Sequence, residues 1–197
     1  KVKTNIYIDG FNLYYGAVRD TAYKWLNLHA MCTHLLAAHH QIHKIKYFTA
    51  RVSARPNDPQ QPIRQQTYLR ALRTLPNLEI IFGHFLVNET SMLVAGNPPN
   101  NPQWVNVVKT EEKGSDVNLA VHLLHDGHRG DYEAAVLITN DSDLKEAIRL
   151  VRQDLGLTVG LLSPYRKPSR ELGAGFGSIG LSQVGTGVGG CGSTVVW

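Results

Sequence analysis

"AVLITNDSDLKEAIRLVRQDLGLTVGLL", residues 135–162, changes pattern three times in one short run. With Ala134 it opens as a continuous apolar segment (AAVLIT, 134–139), as expected for a strand buried on both faces. Leu144, Ile148 and Val151 then recur at helical spacing, and LTVGLL (157–162) returns to a strand. Parallel strands need a crossover of this kind, and the crossover helices cover the sheet's faces.

Working outward, the same alternation extends upstream. Residues 3–8 (KTNIYI) predict a first strand, and Leu28 to His39 a helix, with His39, His40 and His43 closing it, where cations favour the helix dipole. IKYFTARV (45–52) predicts a second strand, SARPNDPQQP a loop, and Ile63 to Leu75 a basic helix ended by Pro76. EIIFGHFLV (79–87) predicts one further strand; beyond NPPNNP, QWVNVVKT could pair back as a hairpin arm. Val117, Ala120, Val121 and Leu124 mark a helix. The expected architecture is a three-layer α/β/α domain with a mostly parallel, Rossmann-like central sheet. From Leu172 onward GAGFGSIGLSQVGTGVGGCG is glycine-heavy and short of large apolar side chains, predicting irregular or partly ordered chain. The expected division is a domain over 1–167 and a tail over 168–197, with no internal repeat.

With 43% hydrophobic and 18% charged residues in 197, the composition is that of a soluble domain with one sizeable core. No run of 18 uncharged apolar residues occurs, nor a basic segment followed by an apolar stretch and a cleavage site, so neither a membrane span nor a secretory signal is expected. Cys32 and Cys191 are the only cysteines, a usage suited to a reducing, cytoplasmic setting. The net charge is +4, but residues 44–73 concentrate Lys44, Lys46, Arg51, Arg55, Arg64, Arg70 and Arg73 against Asp58 alone. Such a stretch either attracts a polyanion or is a solvated basic face.

The carboxylates fall at corresponding places. Asp9 follows the first strand, Asp141 and Asp143 leave the carboxyl end of the 134–139 strand, and Asp116 sits in the first turn of the helix opened by Gly114 and Ser115. In open α/β sheets that edge is where ligands bind. Capping is the competing reading: Asp143 with Glu146, or Ser142 alone, can start a helix, and Asp116 suits a helix amino end. If the strand order brings these acids together, four carboxylates repel one another unless a cation neutralises them. Mg²⁺ or Mn²⁺ is the economical choice, since hard ions take oxygen ligands and can activate water for phosphodiester cleavage. Asn12, one turn past Asp9, is placed to orient a water or phosphate oxygen, or to form a turn.

YIDGFNLYYG, EEKGSDVNLAVHLL and the 135–162 block resemble, in that order, three signature blocks of the NYN domain family, in particular its LabA-like bacterial branch. The resemblance covers roughly residues 3 to 163. It implies a PIN-like nuclease fold, an aspartate cluster holding Mg²⁺ or Mn²⁺, and RNA as the substrate class. By position it assigns catalytic and metal-binding roles to Asp9, Asp116, Asp141 and Asp143. Asn12, Ser142, Lys113, Tyr14 and Arg19 are the substrate-binding candidates. Two positions depart from the pattern: His122 stands where relatives often carry a further aspartate, and Asn140 where glycine is common.

Other readings weigh less. His122, His125 and His128 invite zinc, but the third lies beyond Gly127 and no cysteine is near. A dehalogenase-type aspartyl phosphatase needs a second acid at position 11, which is Phe11, and no GK[ST] loop occurs for an NTPase. Tyr14, Tyr15, Tyr23 and Trp25, with Arg19 and Lys24, could stack bases or simply pack on the sheet edge. The expected function is metal-dependent endoribonuclease; the alternative is a regulatory RNA-binding module of weak or absent catalysis, with a phosphatase on small phosphoesters third. RNA is the expected partner, no membrane is expected, and a homodimer is compatible with the sequence.

Overall fold

The computed structural model describes residues 1–96, 100–166, 169, 171–172 and 178–180. In chain order the elements are β1 (Val2–Asp9), α1 (Gly10–Leu13) running into a π-helical turn (Tyr14–Val18), α2 (Leu28–Leu35), β2 (His40–Thr49), α3 (Gln61–Leu72), β3 (Leu78–Phe82), β4 (His84–Leu93) and β5 (Trp104–Lys113). There follow α4 (Ser115–His128), β6 (Ala134–Ile138), a 3-10 turn (Ser142–Leu144), α5 (Lys145–Gln153), β7 (Thr158–Ser163) and β8 (Ser178–Gly180).

Six strands form one parallel sheet in the order β3-β2-β1-β6-β7-β8. The direction of winding reverses between β1 and β6, the switch point at which open α/β sheets leave a crevice. Period-two alternation sorts the core into two layers. Ile6 and Ile8 of β1 face a layer containing Leu28, Cys32, Leu69 and Leu72 from α2 and α3. Tyr7, between them, faces the opposite layer, with Leu119 and Leu123 of α4 and Ile148 and Val151 of α5. The expected α/β/α arrangement is therefore present, and QWVNVVKT does return as a hairpin arm, β5, antiparallel to β4. Among the described residues no helix is long and apolar enough to cross a membrane.

Several boundaries differ, including β2, which ends at Thr49 and not at 52, and α3, which runs Gln61–Leu72; three differences matter most. The expected strand over 79–87 breaks at Gly83: β3 joins the main sheet while β4 leaves it to pair only with β5. Glycine at the break permits a close approach to the end of β5, because a Cβ at Gly83 would stand 2.5 Å from Glu112 Oε1 and from the Lys113 carbonyl. The helix expected to reach His39 ends at Leu35, and His40 and His43 lie in β2 rather than at a helix end. Leu36 is already extended, and Val2 of β1 donates to the His39 carbonyl, so pairing with the first strand overrides local helical spacing. Finally, Ser178–Gly180, expected to be irregular, forms β8 beside β7. Residues 173–177 and 181–197 of the tail, Cys191 included, lie outside the described residues.

Candidate functional site

The centre of the site is built where β1 and β6 end. Ile8 pairs with Ile138, so Asp9 and Thr139 leave the sheet at the same level. Asp9 is only 2% exposed, and three donors hold its carboxylate. The Asn12 amide donates to Oδ1 at 2.9 Å, while Asn12 Nδ2 and Thr139 Oγ1 donate to Oδ2 at 2.5 and 3.2 Å. Asp9 is thus also the cap of α1, and Gly10 behind it has no room for a Cβ, which would stand 2.6 Å from the Tyr47 ring. Asn12 ties the switch point together, its Oδ1 accepting from the Asn140 amide at 3.2 Å. Asn140 continues the seam, its Oδ1 accepting from Ser163 Oγ at 3.0 Å and from the Ser169 amide at 2.7 Å. That gives the departure at position 140 a use: a glycine there could not join β6 to β7 through a side chain.

Asp141 follows, its side chain accepting from the Asp143 amide at 3.0 Å and capping the 3-10 turn. Capping therefore falls to Asp141 rather than to Asp143, and Glu146 is engaged by Arg149 at 2.7 Å. Asp143 points into solvent, and Ser142 beside it is half-buried. From the other side, α4 begins at Gly114, whose φ of 92° is left-handed and suits glycine. The Ser115 amide donates to Glu112 Oε1 at 3.2 Å, and Asn118 reaches the Phe82 carbonyl, fixing the helix start at the end of β3.

In this setting Asp116 is pushed up to about 7, first by desolvation and then by the charges of Asp9, Asp141 and Glu112, with a hydrogen bond to Asp141. Asp9 is raised too, chiefly by burial, against the hydrogen bonds from Asn12 and Thr139, with Asp141 adding repulsion. Asp9, Asp116 and Asp141, from three separate parts of the chain, thus share one electrostatic environment. Glu112 and Thr139 belong to the group although sequence reasoning passed over them. For Glu112 the signal was its place in EEKGSD, two residues before Gly114.

The donor set is all hard oxygen, the chemistry Mg²⁺ or Mn²⁺ prefers. A carboxylate offers about four lone-pair positions and Asp9 uses three, leaving one on Oδ1. Among the described residues no three His, Cys, Asp or Glu side chains close around a common point. An open set of this kind fits Mg²⁺, which commonly takes one or two carboxylates and completes its shell with water and phosphate.

The remaining candidates are dispersed. Lys113 lies 3.4 Å from Glu111 in an exposed pair, a weak contact that a phosphate could displace. Arg19 contacts Asp20 at 3.2 Å and lies over the Tyr15 ring at 5.7 Å, while Tyr14 and Tyr15 are partly exposed. Lys46 does not belong to the basic surface at all: it is buried, 2.6 Å from Asp126, with His122 Nδ1 3.0 Å from its Nζ. His122 therefore serves a buried ion pair on the Tyr7 side of the sheet.

The NYN domain model matches residues 3–174. A curated relative from Pseudomonas putida (strain DSM 28022 / S16), "6-hydroxy-3-succinoylpyridine 3-monooxygenase HspA", is 36% identical over 195 residues. That alignment covers 86% of this chain and 62% of the relative, so this chain spans less than two thirds of the relative's length. A crystal structure of a protein of unknown function from Vibrio parahaemolyticus RIMD 2210633 is similar with a TM-score of 0.57 and 16% identity. It covers 93% of this chain and 95% of that one, a likeness of fold alone.

Proposed function

This chain belongs to the NYN domain family, and on that premise we propose that it is a divalent-metal-dependent endoribonuclease of the LabA-like branch, acting at the switch-point crevice. The observation that carries the reading is the gathering of Asp9, Asp116 and Asp141 at one partly buried edge, where desolvation first and then the charges of Asp9 and Asp141 push Asp116 up to about 7. Capping accounts for Asp9 and Asp141 singly, but bringing Asp116 against them is costly unless a cation uses all three. One or two of Asp9, Asp116 and Asp141 would hold the ion directly, with the others and Asp143 acting through water; when bound it supplies charge stabilisation and an activated water for phosphodiester hydrolysis. Asn12 and Thr139 keep Asp9 in one orientation, and Asp116 must release its proton for the ion to bind. Lys113 and the basic stretch without Lys46 draw in the phosphate backbone.

The test is cleavage of labelled single-stranded and structured RNAs in Mn²⁺. Asp141→Asn should lose at least about 100-fold in rate, as should wild type in EDTA, with far-UV circular dichroism unchanged. Undiminished cleavage by pure Asp141→Asn protein would overturn the assignment. One observation favours a second reading, an RNA-binding module without catalysis: His122, where relatives often carry an acid, is committed to Lys46. A gel shift with no Asp141-dependent cleavage would select it.

A further inference from the structure

Beside the crevice, on the α3 side of β1, is a cavity of about 170 Å³ that the proposed hydrolysis does not use. Its walls include Tyr14, Tyr15, Trp25, Tyr47 and Tyr68, and one edge is formed by Gln61 at the start of α3. The rings are already arranged around a gap. Trp25 meets Tyr68 edge-on with centroids 6.2 Å apart, Tyr14 meets Tyr15 edge-on at 5.2 Å, and Tyr68 is pinned by its hydroxyl donating to the Leu26 carbonyl at 2.8 Å. Gln61 Oε1 is buried and has no hydrogen-bond partner. Buried amide oxygens are rarely left so, because desolvation without a donor is costly.

We propose that this cavity binds one planar nitrogen-heteroaromatic ring, its faces against the tyrosines and tryptophan and its N–H edge donating to Gln61. An apolar cavity of about 150 Å³ holds a benzene, so the volume suits one ring and not a stacked pair. Aromatic walls favour a π-face whatever its substituents. A lipid chain would satisfy the walls but leave Gln61 unpaired; a phosphate could meet Lys24 or Arg64, which also line the cavity, but an ionised phosphate has no hydrogen to donate to Gln61 Oε1 and no face to set against the rings. The ring has two possible sources, a nucleobase of a bound strand or a free heteroaromatic molecule. Gly10, which lines the cavity, directly follows Asp9, so a base seated here leaves its phosphate beside the carboxylates. That last link rests on the ribonuclease reading; the ring site does not.

Tryptophan fluorescence of the full chain in EDTA, where hydrolysis is silent, tests the site with adenosine monophosphate, nicotinamide and ribose 5-phosphate as probes. Saturable quenching by adenosine monophosphate or nicotinamide, but not by ribose phosphate, is expected. The signal should vanish in Trp25→Phe, and affinity should fall at least fivefold in Gln61→Leu and in Tyr14→Ala, each first shown to melt as wild type does. Response to adenosine monophosphate alone identifies the strand's base as the source, and response to both rings admits free heteroaromatics. No ring binding, or equal affinity in the Gln61 and Tyr14 variants, overturns the inference. Cleavage in Mn²⁺ is scored separately: RNA cut without ring binding leaves the ribonuclease reading standing, and ring binding without cleavage does the reverse.

Discussion

Asp116 offers the sharpest check on the crowding of carboxylates. Its ordinary value of 3.8 is raised to about 7, so between those limits the folded chain holds a proton that the unfolded chain has released. Stability must then be greatest below about pH 4 with respect to this group, and must decline as pH rises through 7. Unscreened, the shift would correspond to about 4 kcal/mol. Asp116 is half-exposed, so solvent screening reduces the usable figure to about 1–2 kcal/mol. Asp116→Asn removes the cost, and for a chain of this size the difference corresponds to roughly 2–8 °C in Tm. Melting curves of wild type and variant at half-unit steps from pH 4 to 8, without divalent ions, isolate the effect, since titrations common to both cancel. The variant should gain on wild type from pH 4 to about 7 and hold that gain above it, and Mn²⁺ at pH 8 should stabilise wild type more than the variant. A difference that stays flat across that range would refute the burial and crowding of Asp116 together.

Three further outcomes follow from other parts of the molecule. Lys46→Met strands the buried Asp126 carboxylate and should cost about 3–5 kcal/mol in urea unfolding, whereas Lys46→Met with Asp126→Leu should recover at least half of it. Burial, then Lys46, hold His122 below its ordinary 6.5, so its contribution is present above that value and lost as pH falls. His122→Gln should therefore flatten the acid limb of the Tm profile. Gly83→Ala drives a Cβ into Glu112 and the Lys113 carbonyl; about 1–3 kcal/mol of destabilisation is expected, with RNA cleavage reduced because Ser115 and Asp116 shift with that contact.

Much of this architecture was legible because element type is a local property. The continuous apolar run at 134–139 and the helical spacing of Leu144, Ile148 and Val151 each follow from a few consecutive residues. Where partners distant in sequence compete, local patterns failed. His40 pairs with Val2 of β1 and His43 falls at the bulge in the same strand instead of closing a helix, and EIIFGHFLV divides at Gly83, which packs closely against residues some thirty positions away. The site divides along the same line. Asp9, Asp116 and Asp141 could be picked out as acids at strand ends and a helix start. That Asp143 stands in solvent, that Glu112 and Thr139 join the group, and that Lys46 belongs to a separate buried pair with Asp126, with His122 beside it, could not be read from the chain.

By itself, then, the sequence determined most of the segments that become strands and helices and which of their ends carry a carboxylate, since both are written within single turns of chain. Only the tertiary structure decided that β1 lies beside β6, with the start of α4 against the end of β3. That order is set by which apolar faces cover one another across the whole domain, and it turns three separated aspartates into one repelling group.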